Sequence, residues 1–249
     1  MHRGKLTIMV NIIRFFRLQN SQTKAIILNI LSIVCFSIMV IFIRKASENL
    51  HILEVVFFRN LLAFIVMLPI LHSTGLAAIK MNNTKLFFIR GFFGAIGMLA
   101  GFTCLTLIPL AQATAISFSK PIFITIGATI FLGEIIKARR IAAIIIGIIG
   151  MLIIVQPGFN GLSFGIMLAI ISALALSVNA LIVKKLTLTD TPHAIIIWMV
   201  VMLIPITLIP AIPVWEWPSL EAWLYLWGIA ILGTLAHFSW TTSYALADI

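Results

Sequence analysis

The chain has 249 residues, of which 62% are hydrophobic and only 10% are charged. Soluble domains carry about a quarter charged residues, and a water-soluble fold of this length could not cover so much apolar surface, so a bilayer is the expected solvent. The net charge of +10 would suggest a nucleic-acid partner in a soluble protein. Here the basic residues stand in short gaps between apolar runs, the pattern that orients membrane helices, which argues against nucleic acid.

Eight apolar runs approach or reach the roughly 20 residues that a spanning helix needs. They do not alternate in polarity as membrane strands do, so each run predicts a helix. The runs cover residues 25–43, 53–71, 86–107, 111–132, 141–155, 164–183, 194–212 and 223–244, and the fifth is short for a full span. The first run lacks a small-residue cleavage site, so we interpret it as a retained helix rather than a signal peptide. Pro109 predicts a tight hairpin between the third and fourth helices.

Basic residues collect on one side of these predicted helices. Only Arg44 and Lys45 fall in a gap on the other side. This asymmetry predicts that the amino terminus lies in the cytoplasm. The expected location is the cell inner membrane. The residues on the basic side are Arg3, Lys5, Arg14, Arg17, Lys24, Lys80, Lys85, Lys137, Arg139, Arg140, Lys184 and Lys185.

The sequence also repeats itself. Residues 97–102 (GMLAGF) return as residues 233–238 (GTLAHF), and the pair Arg44-Lys45 returns as Lys184-Lys185. Because the repeat begins after an odd number of helices, the second copy should be inverted across the membrane, an arrangement typical of transporters. Chance similarity between apolar segments is the alternative. The predicted organisation is a basic tail (1–24), a first repeat of five helices (25–158) and a second repeat of three (163–249), with two helices expected to be missing from its end.

Three basic residues lie inside the apolar runs, namely Arg59, Arg90 and Lys120. A lysine at a helix centre is costly, so Lys120, followed by a helix-breaking proline, is the favoured contact for an anionic group. Arg59 is a helper or a structural charge, and both arginines have the alternative of snorkelling to the surface. No acidic residue lies deep in a run, which disfavours export of cationic drugs through a buried carboxylate.

Polar and aromatic residues inside the later helices complete the candidate substrate site. Trp240 and Tyr244 offer a platform for a flat ring, and Asn179 offers an amide. For each of them, helix–helix contacts or interface anchoring is the alternative. Paired carboxylates, clustered histidines and metal-ligand spacings are missing from the sequence, so we expect no enzyme, no cofactor and no metal. The four glycines from Gly91 to Gly101 indicate close helix packing rather than a nucleotide loop.

Several motifs occur in a recognisable order and spacing. They are IPLAQA at 108–113, SKPIF at 119–123, LGE at 132–134, Arg139-Arg140, and a segment from Gly147 that ends in QPG at 156–158. Together they resemble the EamA-type repeat of the drug/metabolite transporter superfamily. The resemblance implies ten helices in two inverted repeats and transport of small metabolites. Further motifs are similar to the S-adenosylmethionine uptake branch: LH at 50–51, EV at 54–55, FFR at 57–59, RG at 90–91 and SFS at 117–119.

The sequence therefore predicts an all-α polytopic membrane protein that transports a small organic metabolite, S-adenosylmethionine or another amino-acid-like or anionic solute. The expected partners are this solute and the lipid bilayer, and a homodimer stays an open alternative. A truncated membrane protein or scaffold without transport is the second hypothesis. An intramembrane enzyme is the third, and it would need a clustered acid or histidine site.

Overall fold

The computed structural model describes residues 20–75, 79–132, 138–155 and 163–246. Within these ranges all regular structure is helical. The predictions that concern the tail before residue 20, Glu134, Lys137, residues 156–158 and the end after residue 246 lie outside them. The α-helices are α1 (Ser21–Ala46), α2 (Ile52–Thr74), α3 (Thr84–Leu107), α4 (Leu110–Ser117), α5 (Lys120–Leu132), α6 (Ala138–Val155), α7 (Phe164–Leu186), α8 (Pro192–Ala211) and α9 (Leu220–Leu246), with a 3-10 turn at Ile212–Val214.

Polar side chains fix the starts of several helices. The Asn20 side chain accepts a hydrogen bond from the Thr23 amide at 2.8 Å, and Ser163 and Thr191 cap α7 and α8 in the same way. Each cap satisfies an amide that has no partner inside the helix. Capping residues therefore set where these helices begin, a little outside the apolar runs in the case of α1 and α8.

The fourth apolar run is not one helix, which corrects the sequence prediction. It breaks at Phe118 and Ser119 into α4 and α5. The Ser119 hydroxyl donates to the Ile116 carbonyl at 2.6 Å, and Pro121 stands in the first turn of α5, where its missing amide costs little. Together the two helices still cross the apolar core as one span of 21 residues.

Seven segments in the described residues are long and apolar enough to cross a membrane, and the shorter apolar helix 141–153 adds to them. Many large apolar side chains point outward, as on α6 and the outer face of α1. Such surfaces would aggregate in water but are solvated by lipid tails. The chain is a multi-pass membrane protein.

The helices pack in reciprocal pairs. α1 lies along α9, and α3 lies along α7. α2 and α8 pack against each other, while α2 also contacts α9 and α8 also contacts α3. Exchanging α1–α3 with α7–α9 leaves this set of neighbours unchanged.

Small residues bring α3 and α7 together, as the glycine spacing predicted. A Cβ atom at Gly97 would lie 2.7 Å from Leu176, and one at Gly101 would lie 2.7 Å from the Ser172 hydroxyl. That hydroxyl donates to the Gly97 carbonyl at 2.7 Å. Only glycine allows this approach, so the contact fixes the position of α3, which carries Arg90.

Candidate functional site

Arg59 lies inside the bundle. It is 1% exposed, and its Nη1 donates to the Asn60 side chain at 2.8 Å. Its Nε has no acceptor among the residues that the structure describes. A Cβ atom at Gly233 of α9 would stand 3.3 Å from Nη2, so the glycine leaves room for the guanidinium group between α2 and α9.

Arg90 is also 1% exposed, at a second position in the interior. Its Nη1 donates to the Ile195 carbonyl of α8 at 2.7 Å, and its Nη2 lies 3.4 Å from the Met199 sulfur. Its Nε has no acceptor in the described part of the chain. Both arginines are therefore internal, and the snorkelling alternative is wrong. Among the residues that the structure describes, the only salt bridge joins Lys45 to Glu48 at the surface. Neither buried guanidinium group has a carboxylate partner there, although burying a charge without one is unfavourable.

One face of α9 is polar and turned inward. Thr234, His237 and Thr241 share this face, and each has a buried side-chain atom without a hydrogen-bond partner. Threonine hydroxyls in membrane helices ordinarily donate to a carbonyl one turn earlier, as Thr125 and Thr207 do in this chain. The two α9 hydroxyls do not, so they remain free to bind another group.

His237 lies on this same face of α9. Its ring packs edge-on against Phe36 with 5.1 Å between centroids. His237 is one helical turn after Gly233, and the Arg59 guanidinium lies beside Gly233. His237 and Arg59 therefore face the same part of the interior.

Asn179 lies where α7 approaches α3. A Cβ atom at Gly94 would be 3.8 Å from its Nδ2, and its Oδ1 is buried without a partner. Gly94 is one helical turn from Arg90, so the predicted amide does face the interior on the Arg90 side.

Trp240 and Tyr244, which the sequence analysis predicts as a ring platform, are neighbours in the structure. The Trp240 and Tyr244 rings stand 4.6 Å apart at 45°, and Trp240 continues to the His237 ring at 6.4 Å. Both aromatic residues pack against a buried cluster that contains Phe87 and Ile195. The aromatic pair and the polar face of α9 are therefore continuous.

Lys120 occupies a different part of the bundle. It is the first residue of α5, and its carbonyl accepts a hydrogen bond from Ser177 of α7 at 3.2 Å. Its side chain is half-buried. The hydrogen bond described for Lys120 is thus to α7, whereas Arg59 lies beside Gly233 of α9.

Glu54 is a buried acid to which the sequence assigned no role. It is 0% exposed; its Oε1 accepts a hydrogen bond from the Glu216 amide at 2.6 Å, and its Oε2 has no partner. The α1–α2 turn and the segment after α8 line a cavity of about 570 Å³ beside it. A single acidic residue at the start of an apolar helix does not indicate which part of the chain it will contact. The sequence therefore did not predict the hydrogen bond between Glu54 and the segment after α8.

Comparison with known proteins adds the family. The model of the EamA-like transporter family matches residues 23–156, more than half of the chain. The chain belongs to this family, within the drug/metabolite transporter superfamily. A solved crystal structure aligns with a TM-score of 0.71 over 91% of this chain and 80% of that one at 16% identity, which shows a shared fold alone.

The curated relatives of this EamA-family chain are named as transporters of different solutes. A riboflavin transporter of Rhizobium johnstonii is 35% identical over 75% of this chain, and one of Vibrio cholerae is 28% identical over 75%. These matches span 62% and 64% of the relatives' lengths. An S-adenosylmethionine uptake transporter of Rickettsia prowazekii is 26% identical over 88% of this chain and 74% of its own length. These relatives are thus all named as small-molecule transporters, and the solutes in their names differ.

Proposed function

We propose that this chain is a secondary transporter, not an enzyme, and that it carries a small organic metabolite across the inner membrane. The solute is S-adenosylmethionine or another amino-acid-like or anionic compound. One observation carries the proposal: within the described residues, two buried arginines have no acidic partner, and unpartnered polar groups and an aromatic pair lie in the same multi-pass bundle of a transporter family. A purely structural core would satisfy these groups.

In this proposal Arg59 and Asn179 contact the polar part of the solute, and Trp240 and Tyr244 hold its ring. Lys120 stays a proposed anion contact, on the α7 side. A solute with a carboxylate and a flat ring matches this combination, because guanidinium groups pair with carboxylates and aromatic rings stack on flat ones. S-adenosylmethionine has both features.

We also propose that the two groups of helices are inverted repeats. Reciprocal packing supports this, since α1–α9 and α3–α7 exchange under the repeat. α1 ends at Ala46 and α7 ends at Leu186, while α2 begins at Ile52 and α8 begins at Pro192. The spacing along the sequence is the same for both pairs, so the end of one helix and the start of the next recur at corresponding positions of the two repeats. Inverted repeats typically enclose a binding site near the midplane between them, and we propose that this site lies where Arg59 meets Gly233.

The cytoplasmic placement of the amino terminus is proposed from the basic residues. This orientation requires the α2–α3 and α7–α8 connections to lie on one side of the membrane and the α1–α2 and α8–α9 connections on the other. Hydrogen bonds support this grouping. The Asn82 amide donates to Asp190 at 2.8 Å, which joins the α2–α3 and α7–α8 connections on the basic side. The Glu54–Glu216 contact joins the α1–α2 and α8–α9 connections on the opposite side.

Uptake into proteoliposomes tests the function. Purified chain is reconstituted, and accumulation of labelled S-adenosylmethionine and of riboflavin is compared with empty liposomes. We expect saturable uptake of at least one solute. A folded, reconstituted chain that accumulates neither S-adenosylmethionine nor riboflavin nor an amino-acid-like competitor would support a non-transporting membrane protein.

The role of Lys120 has its own test in the same assay. Lys120→Ala should raise the apparent KM for an anionic solute if the ammonium group contacts it. Arg139→Ala, which removes an exposed charge from α6, is the matched control. Unchanged uptake in Lys120→Ala would remove this residue from the site and leave the transport proposal standing.

A further inference from the structure

Arg59 and Arg90 are both buried in the interior, and the polar face of α9 lies beside Arg59. We infer that Arg59, Arg90, Thr234, His237 and Thr241 form an elongated anion-binding site, and that the solute presents a carboxylate or a phosphate to it. The inference rests on the proposed transport function and narrows its solute class. It adds Arg90 and the α9 residues to the proposed substrate contacts.

The first support is charge without compensation. An arginine stays charged at neutral pH, and a buried charge is stable only when it is paired or well hydrogen-bonded. Arg59 is held by one amide oxygen, and Arg90 by one backbone carbonyl and a thioether. The Nε group of each arginine is left over. An anionic group is the partner that these donors fit, because guanidinium binds carboxylate and phosphate through paired hydrogen bonds.

The second support is the geometry along α9. The Arg59 guanidinium stands beside Gly233. Arg90 reaches Ile195, which belongs to the same cluster as Trp240. Trp240 lies seven positions after Gly233 on α9, which corresponds to about 10 Å along the helix axis. In the inferred site Arg59 and Arg90 stand at different levels along α9, and the solute moves its anionic group from one to the other.

The third support is the set of polar groups between these two levels. Thr234, His237 and Thr241 offer hydrogen-bonding atoms without partners along the stretch of α9 that links the arginines. If this face served only to join helices, its hydroxyls would be expected to donate within their own helix, as Thr125 and Thr207 do. The polar face therefore provides a path for the anionic group as it passes between Arg59 and Arg90.

Paired probes test the charge preference directly. Binding to the purified chain in detergent is measured by thermal shift and by direct titration for riboflavin against riboflavin 5′-phosphate, and for S-adenosylmethionine against its decarboxylated form. The first pair differs by a phosphate and the second by a carboxylate, so the two arms separate the two sources of charge. We expect the member that carries the additional phosphate or carboxylate to bind about ten-fold tighter or more in at least one pair. Equal binding within both pairs would overturn the inference.

Arg90→Met and Arg59→Met test the residues, with Arg139→Met as the control that removes an exposed arginine. Both interior variants should lose the preference for the anionic probe, and the control should keep it. Ligand-free Arg90→Met should melt at the same temperature as the parent chain or higher, since it removes an uncompensated buried charge. A lower melting temperature combined with an unchanged anion preference would show that Arg90 is structural and would overturn the inference.

The test separates this site from the transport proposal. If proteoliposomes accumulate the two members of each pair equally, the transport proposal stands and the anion site does not. If anionic probes bind in an arginine-dependent way and nothing accumulates, the site stands and the transport proposal does not. Failure of every probe to bind removes the site.

Discussion

Two glycines on the same face of α3 provide a matched test of how closely α3 and α7 pack. At Gly97 an added Cβ atom would lie 2.7 Å from both Cγ and Cδ2 of Leu176, closer than carbon atoms can approach. At Gly94, one turn earlier, the nearest neighbouring atom would be Nδ2 of Asn179 at 3.8 Å, an ordinary contact. Gly97→Ala and Gly94→Ala therefore make the same chemical change in the same interface with opposite steric outcomes.

The expected difference follows from two opposing effects. Replacing glycine by alanine in a helix stabilises it by up to about 1 kcal/mol, and both variants gain this contribution. Gly97→Ala must also displace Leu176, and overpacking of this kind costs about 1–3 kcal/mol. We expect Gly94→Ala to be more stable than the parent chain, and Gly97→Ala to be less stable than Gly94→Ala by about 1–3 kcal/mol.

Unfolding in mixed micelles measures this difference. Each variant is titrated with a denaturing detergent and followed by tryptophan fluorescence, and the free energies of unfolding are compared at one detergent composition. Equal stability of Gly97→Ala and Gly94→Ala would refute the close approach of α3 and α7. It would also remove the physical basis for the position of Arg90.

Two further predictions concern the ends of the bundle. Glu54→Ala should release the segment after α8, because the Glu216 backbone amide loses its acceptor, and the tryptophan emission should shift to the red. Glu48→Ala, which removes an exposed acid, is the control and should leave the emission spectrum unchanged. Trp240→Ala should weaken binding of a ring-bearing solute by about two- to ten-fold, since one aromatic contact contributes about 0.5–1.5 kcal/mol. Trp227→Ala, at a half-exposed site, is the control, and equal effects of both substitutions would contradict the ring platform.

The helices were largely predictable because apolar length and lipid solvation decide them locally. The runs that became α1, α3 and α7 needed only capping residues to set their ends. The break at Phe118 and Ser119 was missed as a helix boundary because apolar composition continues across it. Proline lowers the helix preference there, but the hydroxyl–carbonyl contact of Ser119 that closes α4 depends on local geometry.

The candidate site was predictable in part. Intramembrane charge identified Arg59 and Lys120 as residues of interest, and aromatic spacing identified Trp240 with Tyr244. Thr234 carries no such signal, because a threonine in an apolar helix usually satisfies its own hydroxyl. Whether a buried arginine has a partner depends on which side chains other helices bring to it, and one helix's sequence does not contain that information.

The sequence by itself determined the solvent, the number of apolar runs and the family, since each follows from composition and motif order along the chain. Tertiary structure decided which charges face inward and which remain without partners. Arg59 and Arg90 could have snorkelled as far as local sequence was concerned. Close packing of α2 on α9 and of α3 on α7 and α8 encloses them instead, because glycine positions and reciprocal helix contacts leave space for them only in the interior.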